Sequence, residues 1–290
     1  MVMTMNARKA VFAGSWYPDS AGECEKEINS FLKEIKVKDS LKGKGIGGIV
    51  PHAGWYFSGS IACNVINCLK DEKHTDVIII FGMHLHSDSP CYIMKEGAWE
   101  TPFGEIEIEK NIAQELAEKY SFNIETPDNF MQDNTIELQL PFIKYFFGDI
   151  KIVPIGAPPA EDSFRIGKAA AEIATKMGLC VKVVGSTDLT HYGINYGFMP
   201  EGTGPASIDW VRNENDRRII EIMLKMDPEG VITEALAHQN ACCAGAAATA
   251  IAASKQLGAK HAESISYATS YDKSPGDSFV GYTGIVFFSA

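Results

Sequence analysis

Three short apolar runs in this chain each end on a turn that carries histidine. Ile46-Gly47-Gly48-Ile49-Val50 leads into Pro51-His52-Ala53-Gly54. Val77-Ile78-Ile79-Ile80-Phe81 leads into Gly82-Met83-His84-Leu85-His86, and Val181-Lys182-Val183-Val184-Gly185 into Ser186-Thr187-Asp188-Leu189-Thr190-His191. Apolar runs of this length, bounded by turn residues, read as buried strands. Between them lie stretches with helical spacing, such as Asp19 to Ile35, where Ile28, Phe31, Leu32 and Ile35 share one face. Strands alternating with helices specify an α/β sheet with helices on both faces. In open sheets of that kind, ligands bind at the carboxyl ends of the strands. The three histidine-bearing turns therefore point to one polar, metal-capable site.

The pattern continues along the chain. Helices are expected over Ser60 to Leu69, Lys110 to Tyr120, Thr135 to Phe147 (interrupted by Pro141), Asp162 to Met177, Ile208 to His238 and Cys243 to Leu257. Strands are expected at Asp76 to Phe81, Tyr92 to Met94, Glu105 to Ile108, Ile150 to Ile155, Ser264 to Thr269 and Phe279 to Phe288. No linker or internal repeat divides them, so residues 1–290 read as one three-layer α/β/α domain with a central mixed sheet. Gly43-Lys44-Gly45-Ile46-Gly47-Gly48 satisfies G-x-G-x-x-G, but it precedes a strand. A dinucleotide site needs the motif after one.

Composition narrows the function. A net charge of −11 argues against a nucleic-acid or anionic-membrane surface, because both are polyanions. Seven cysteines without a Cys-x-x-Cys pair lie mostly in apolar surroundings, the usage of a reducing compartment. No secretion signal and no apolar run of about 20 residues is evident. A cytoplasmic protein is expected.

The histidines are the first candidates for chemistry, since neutral imidazole binds Zn, Fe and Cu and serves as a base near neutral pH. His52 and His86 stand out as ligands. His84, two residues from His86, would point the same way in an extended loop, which leaves open which of them binds. His74, His238 and His261 have no supporting context. Asn240-Ala241-Cys242-Cys243 enters an Ala-rich helix, with Asn240 as a plausible cap. A thiol at a helix start is favoured as thiolate. Asp188 stands close enough to His191 to orient it, or else to cap the local turn.

Five segments, Ala13-Gly14-Ser15-Trp16-Tyr17-Pro18, Pro51 to Trp55, Phe81 to His86, Ile136-Glu137-Leu138-Gln139-Leu140-Pro141 and Ser186 to Gly193, together resemble the Memo-like family. Its bacterial and archaeal members are known as AmmeMemoRadiSam system protein B. That family is similar to the catalytic subunits of class III extradiol dioxygenases, which implies the same three-layer fold. The resemblance implies metal ligands His52, His86 and Cys242, with Fe(II) as the ion and Cu or Zn as alternatives. It also implies His191 as acid–base residue, oriented by Asp188. Trp16, Tyr56, His84, Asn134 and Glu137 are expected around a substrate pocket. Two departures stand out: His84-Leu85-His86 replaces an adjacent histidine pair, and Asn134-Thr135 replaces His-Ser. Cys243 stands where many members have glycine, a replacement that would bring a second thiol near the expected ion. The expected function is a metal-dependent redox enzyme acting on a phenolic or enolic molecule. Two alternatives fit the same residues: a silent binding module for a peptide or protein, and a metal-independent hydrolase or transferase with Cys242 as nucleophile. Radical-SAM and AMMECR-type proteins are the partners the resemblance implies.

Overall fold

A computed structural model describes residues 6–35, 43–71 and 74–289. The single-domain expectation over 1–290 also covers residues 1–5, 36–42, 72–73 and 290, which lie outside the described residues. In chain order the strands are β1 (Ala7–Arg8), β2 (Gly45–Val50), β3 (Val77–Gly82), β4 (Cys91–Met94), β5 (Ala98–Trp99), β6 (Ile106–Ile108), β7 (Phe122–Glu125), β8 (Lys151–Gly156), β9 (Val181–Ser186), β10 (His191–Tyr192), β11 (His261–Thr269) and β12 (Phe279–Phe288). The helices are α1 (Ala21–Glu34), α2 (Ser60–Cys68), α3 (Lys110–Lys119), α4 (Asn134–Glu137), α5 (Leu140–Phe147), α6 (Glu161–Lys176), α7 (Pro205–Trp210), α8 (Asp216–Leu224), α9 (Pro228–His238) and α10 (Ala244–Gln256).

One mixed sheet joins these strands in the order β1-β5-β6-β8-β3-β9-β2-β12-β10, with β11 along β12, and β4 bridging β8 and β7. Its centre, β8-β3-β9-β2, is parallel, and β12 runs antiparallel to β2. The continuous apolar reading of Val77 to Phe81 has its reason here: β3 is buried along its whole length, as a central parallel strand must be. Helices cover both faces. A Cβ at Gly47 would meet Ser254 on α10, and one at Gly48 would meet Val65 on α2. Neighbouring strand residues point to opposite faces, so α10 and α2 lie on opposite sides of β2. Helix α10 is buried from Ala244 through Ser254, and its alanines let it lie close against α6 and the sheet.

Two expected helices are broken. The Thr135–Phe147 stretch splits into α4 and α5, with Pro141 in the first turn of α5, where its missing N–H is no loss. The region from Ile208 to His238 splits into α7, a π-helical turn at Val211–Asn215, α8 and α9. Met226 takes a left-handed φ of 54° between α8 and α9, and Asp227 then caps α9. Strands β1, β5, β7 and β10, of two to four residues, are too short to carry a period. The glycine-rich motif runs into β2 itself and opens no helix. Among the described residues, no helix is long and apolar enough to cross a membrane.

Candidate metal centre and its pocket

Strand β9 lies between β3 and β2, so the turns after all three strands emerge side by side. His84 follows β3, Asp188 follows β9 and His52 follows β2. The segment entering α10 is tied to the same edge by its backbone. Cys242 N–H donates to the Asp188 carbonyl (3.2 Å), and Cys243 N–H donates to Thr187 Oγ1 (3.0 Å). In return, Asp188 N–H donates to Cys242 Sγ (3.3 Å). Four side chains thereby converge. One ligand-capable atom from each of His52, His84, Cys242 and Cys243 lies within 4.8 Å of the other three. Cys242 Sγ is 3.3 Å from His52 Nε2 and 3.8 Å from Cys243 Sγ.

Hydrogen bonds fix which nitrogen of each ring faces this cluster. Ser186 has one proton, and it goes to the Thr135 carbonyl (2.8 Å). Ser186 Oγ can therefore only accept from His52 Nδ1 (3.0 Å), which leaves Nε2 directed at Cys242. His84 Nδ1 donates to Asp133 Oδ2 (2.9 Å), so its Nε2 is the nitrogen left for the cluster. Asp133 also receives the His84 N–H (3.0 Å) and the Thr135 N–H (2.9 Å). A carboxylate behind a histidine in this way fixes the tautomer and raises the basicity of a metal ligand.

His84, not His86, is the second histidine of the cluster. The physical reason lies in the turn. Met83 adopts a left-handed φ of 74°, and its N–H donates to Thr135 Oγ1 (2.7 Å). Gly82 allows this approach, because a Cβ there would sit 2.3 Å from Thr135 Oγ1. The kink swings His84 onto Asp133. His86 falls in the next turn, closed by reciprocal bonds with Ser89, and is exposed on a second cleft whose wall also holds Cys242 and His191, but its side chain is not among those that converge. Two further expectations are corrected. Asn240 is not the cap of α10; that residue is Cys243, while Asn240 donates to the Asn215 carbonyl and to Glu234. Glu137 does not line the pocket. It is fully buried, accepts from Phe12 N–H (2.7 Å) and Tyr17 Oη (3.1 Å), and anchors the N-terminal segment.

Asp188 sits between two imidazoles instead of capping its own turn. Its Oδ1 accepts the His52 N–H (2.7 Å), and Oδ2 lies 3.9 Å from His52 Nε2 and 4.0 Å from His191 Nε2. His191 is placed by pairing of β10 with β12, opposite Val280, and its ring packs on Tyr196. Its Nε2 is buried without a hydrogen-bond partner. The charges interlock. Burial works against the Cys242 thiolate, yet the Cys243 thiol, His52 and His191 lower the Cys242 pKa well below the usual thiol value. Burial likewise opposes a charged His84, but Asp133 and Cys242 outweigh it and raise that ring to about 10. His52 and His191 are shifted upward too, against burial: His52 by Asp188 and Cys242, His191 by Cys242 and Asp188. Burial pushes the Asp188 carboxyl up, with His52 and His191 opposing it.

The two histidines of the cluster open onto a cleft of about 590 Å³. His52, His84, Asp188 and His191 are in its wall, with Trp16, Tyr56 and Asn134 as expected, and Tyr196 and Tyr282 alongside. Trp16 and Tyr56 are exposed, whereas their neighbours Tyr17 and Trp55 point into the core, Trp55 stacked on Phe142. Asn134 Nδ2 donates to the His52 carbonyl (2.8 Å) and so braces the ligand turn.

This donor set fits a metal ion. Two imidazole nitrogens with their far nitrogens already satisfied, and one sulfur whose pKa is lowered, against burial, by its neighbours, are what Zn, Cu or Fe takes. The protons held by the rings are those that a cation would displace. Sequence reasoning misses the parts played by Asp133, Ser186 and Asp216. Asp133 has a signal, being an Asp immediately before a helix start. Asp216 accepts the Thr190 N–H (3.0 Å) and so fixes the loop to His191 from a distant helix, with no local trace.

Residues 8–286 match the family model described as Memo-like protein. A MEMO1 family protein of Pyrococcus furiosus is 33% identical over 288 residues, covering 96% of this chain and 98% of that protein. One from Pyrobaculum aerophilum is 32% identical over 297 residues, covering 98% and 100%. Among solved structures, an uncharacterized protein of Escherichia coli K12 matches with a TM-score of 0.53 at 9% identity, covering 84% of this chain and 99% of that one, a likeness of fold alone.

Proposed function

The chain belongs to the Memo-like family, and on that premise we propose that it is a metal-dependent enzyme of the extradiol-dioxygenase type. Its substrate would be a small phenolic or enolic molecule seated in the cleft. The observation that carries this reading is the convergence of His52 Nε2, His84 and Cys242 Sγ beside the cleft, with His191 next to them. Those three side chains would hold the ion, Fe(II) in the first place and Cu or Zn as alternatives. Such an ion, when bound, supplies Lewis-acid activation and, for Fe or Cu, electron transfer involving O₂; Zn would direct the site to hydrolysis instead.

The chain's own residues do the rest. His191 Nε2 accepts and donates no hydrogen bond among the described residues, and, against burial, Cys242 and Asp188 favour its charged form, so it can take the proton of a substrate hydroxyl. Asp188, 4.0 Å away, stabilises the imidazolium that results. Trp16 and Tyr56 flank the cleft and suit a flat ring. The test is anaerobic purification followed by metal analysis, with turnover on catechol-type compounds. His191→Ala should keep the ion, lose at least about 100-fold in turnover, and lose one ionisation from the pH profile. If His191→Ala empties the site, His191 is a ligand and the acid–base role is wrong.

One observation favours a second reading. Cys242, whose pKa is lowered against burial by the Cys243 thiol, His52 and His191, has its sulfur 3.3 Å from an imidazole, the arrangement of a cysteine nucleophile. Turnover without metal that iodoacetamide abolishes would select it. A protein with neither ion nor turnover would be a binding module. Radical-SAM and AMMECR-type partners belong to the same proposal, and co-purification tests them.

A further inference from the structure

We propose that Cys243 is a second sulfur ligand to the ion held by His52, His84 and Cys242, so that this chain offers a His₂Cys₂ set to one thiophilic, four-coordinate ion. The inference rests on the metal-site reading above and goes beyond its three ligands.

Geometry carries it. Tetrahedral sites with bonds of about 2.3 Å to sulfur place two sulfurs about 3.8 Å apart, and with bonds of about 2.0 Å to nitrogen they place sulfur and nitrogen about 3.5 Å apart. The two thiols stand 3.8 Å apart, and Cys242 Sγ stands 3.3 Å from His52 Nε2. The same four side chains already lie within 4.8 Å of one another. Little movement is needed to place an ion between them. A disulfide, by contrast, requires about 2.05 Å between the sulfurs.

The backbone holds Cys243 in this attitude. As cap of α10 it has φ −124° and ψ 54°, outside the helical region, and its N–H is bound to Thr187 Oγ1 (3.0 Å). Adjacent residues in a regular helix diverge by about 100° and would not direct both sulfurs to one point. The Cys243 side chain is buried, and its sulfur meets the sulfur of Cys242.

The chemical consequence is selectivity. Thiolate pairs favour Zn(II) and Cu(I), while Fe(II) enzymes with open positions rely on imidazole and carboxylate. Cu(I) would preserve redox chemistry at the site, and Zn(II) would close it to four protein ligands.

The test uses the full-length, reduced apoprotein under anaerobic conditions. Titration with Co(II) reads the number of thiolates through the sulfur-to-cobalt charge-transfer band. The wild type should bind one Co(II) with tetrahedral d–d bands. Cys243→Ala should show about half the charge-transfer intensity per bound ion and a fall in Zn(II) affinity beyond the roughly 10–100-fold of an outer-shell change. Cys91→Ala, which removes a buried thiol elsewhere, should change neither. Equal intensity per ion in wild type and Cys243→Ala would overturn the proposal and leave the three-ligand site standing. Failure of the wild type to bind any ion would overturn both. Should Cys243→Ala not fold, ¹¹³Cd resonance on the wild type decides: a two-thiolate shift supports the proposal and a one-thiolate shift overturns it.

Discussion

In the proposed metal site, what qualifies a histidine as a ligand is the partner that holds its other nitrogen. Ser186 holds His52 and Asp133 holds His84, whereas His86 has only a turn hydrogen bond through its backbone. Removing His84 should therefore empty the site, and removing His86 should not. We expect His84→Ala to lose its ion on dialysis, with His86→Ala indistinguishable from wild type by elemental analysis. Equal loss in both would restore His86 as ligand. Asp133→Ala should retain the ligands but bind metal about 10–100-fold more weakly. At this scale the sequence is informative where a residue follows a strand directly, as His52 does, or opens a buried helix, as Cys242 does. It does not decide between His84 and His86. The choice between them depends on a left-handed φ at a methionine, a conformation bulky residues seldom take. That kink is fastened by Thr135, 52 residues further along the chain and invisible to local spacing.

Elements are more legible than residues. Long segments such as α1, α6 and α10 lie within a residue or two of their expected bounds, because α1 and α6 each bury one continuous face and α10 is an alanine-rich run buried on all sides. What stays hidden are the two-residue strands and the interruptions in the 208–238 region, which depend on tertiary partners. Close packing of α10 on β9 gives a sharp contrast between two glycines. A Cβ at Gly185 would lie 2.6 Å from Ala250 Cβ and 2.9 Å from the Ala246 carbonyl. Gly185→Ala should thus destabilise by about 1–3 kcal/mol, as overpacking does. Because Gly185 precedes Ser186, the partner of His52, it should also weaken metal binding. At Gly22, in the first turn of α1, an added methyl group would have no neighbouring atom within 4 Å. Gly22→Ala should be neutral or stabilise by up to about 1 kcal/mol. Urea midpoints should fall for Gly185→Ala and hold or rise for Gly22→Ala; a gain in stability for Gly185→Ala would contradict the packing argument.

Across the whole molecule, the sheet edge that carries the proposed metal site is tied to the helical layer through one buried carboxyl. Asp216 opens α8, is fully buried, and accepts from Thr190 N–H (3.0 Å), the Thr190 hydroxyl and Tyr267 Oη (2.7 Å). It therefore clamps the loop between Asp188 and His191 against β11 and β12. Burial raises its pKa from 3.8 to about 6, despite the hydrogen bonds from Thr190 and Tyr267 and the nearby His191 that favour the charged form. The sign follows from proton counting. Between those two values the native state keeps a proton that the unfolded chain releases, so stability falls as pH rises. The contribution is fully present below about pH 4 and gone above about pH 6, a change of about 3 kcal/mol at 1.36 kcal/mol per pKa unit. Asp216→Asn keeps the acceptor oxygen and cannot ionise. The stability difference between wild type and D216N, measured by urea unfolding, should therefore shift against the wild type by about 3 kcal/mol between about pH 4 and pH 6.5 and stay level above it. A difference that is flat across that window would show that Asp216 is ionised in the native protein throughout, and that the clamp on the His191 loop is a charged one.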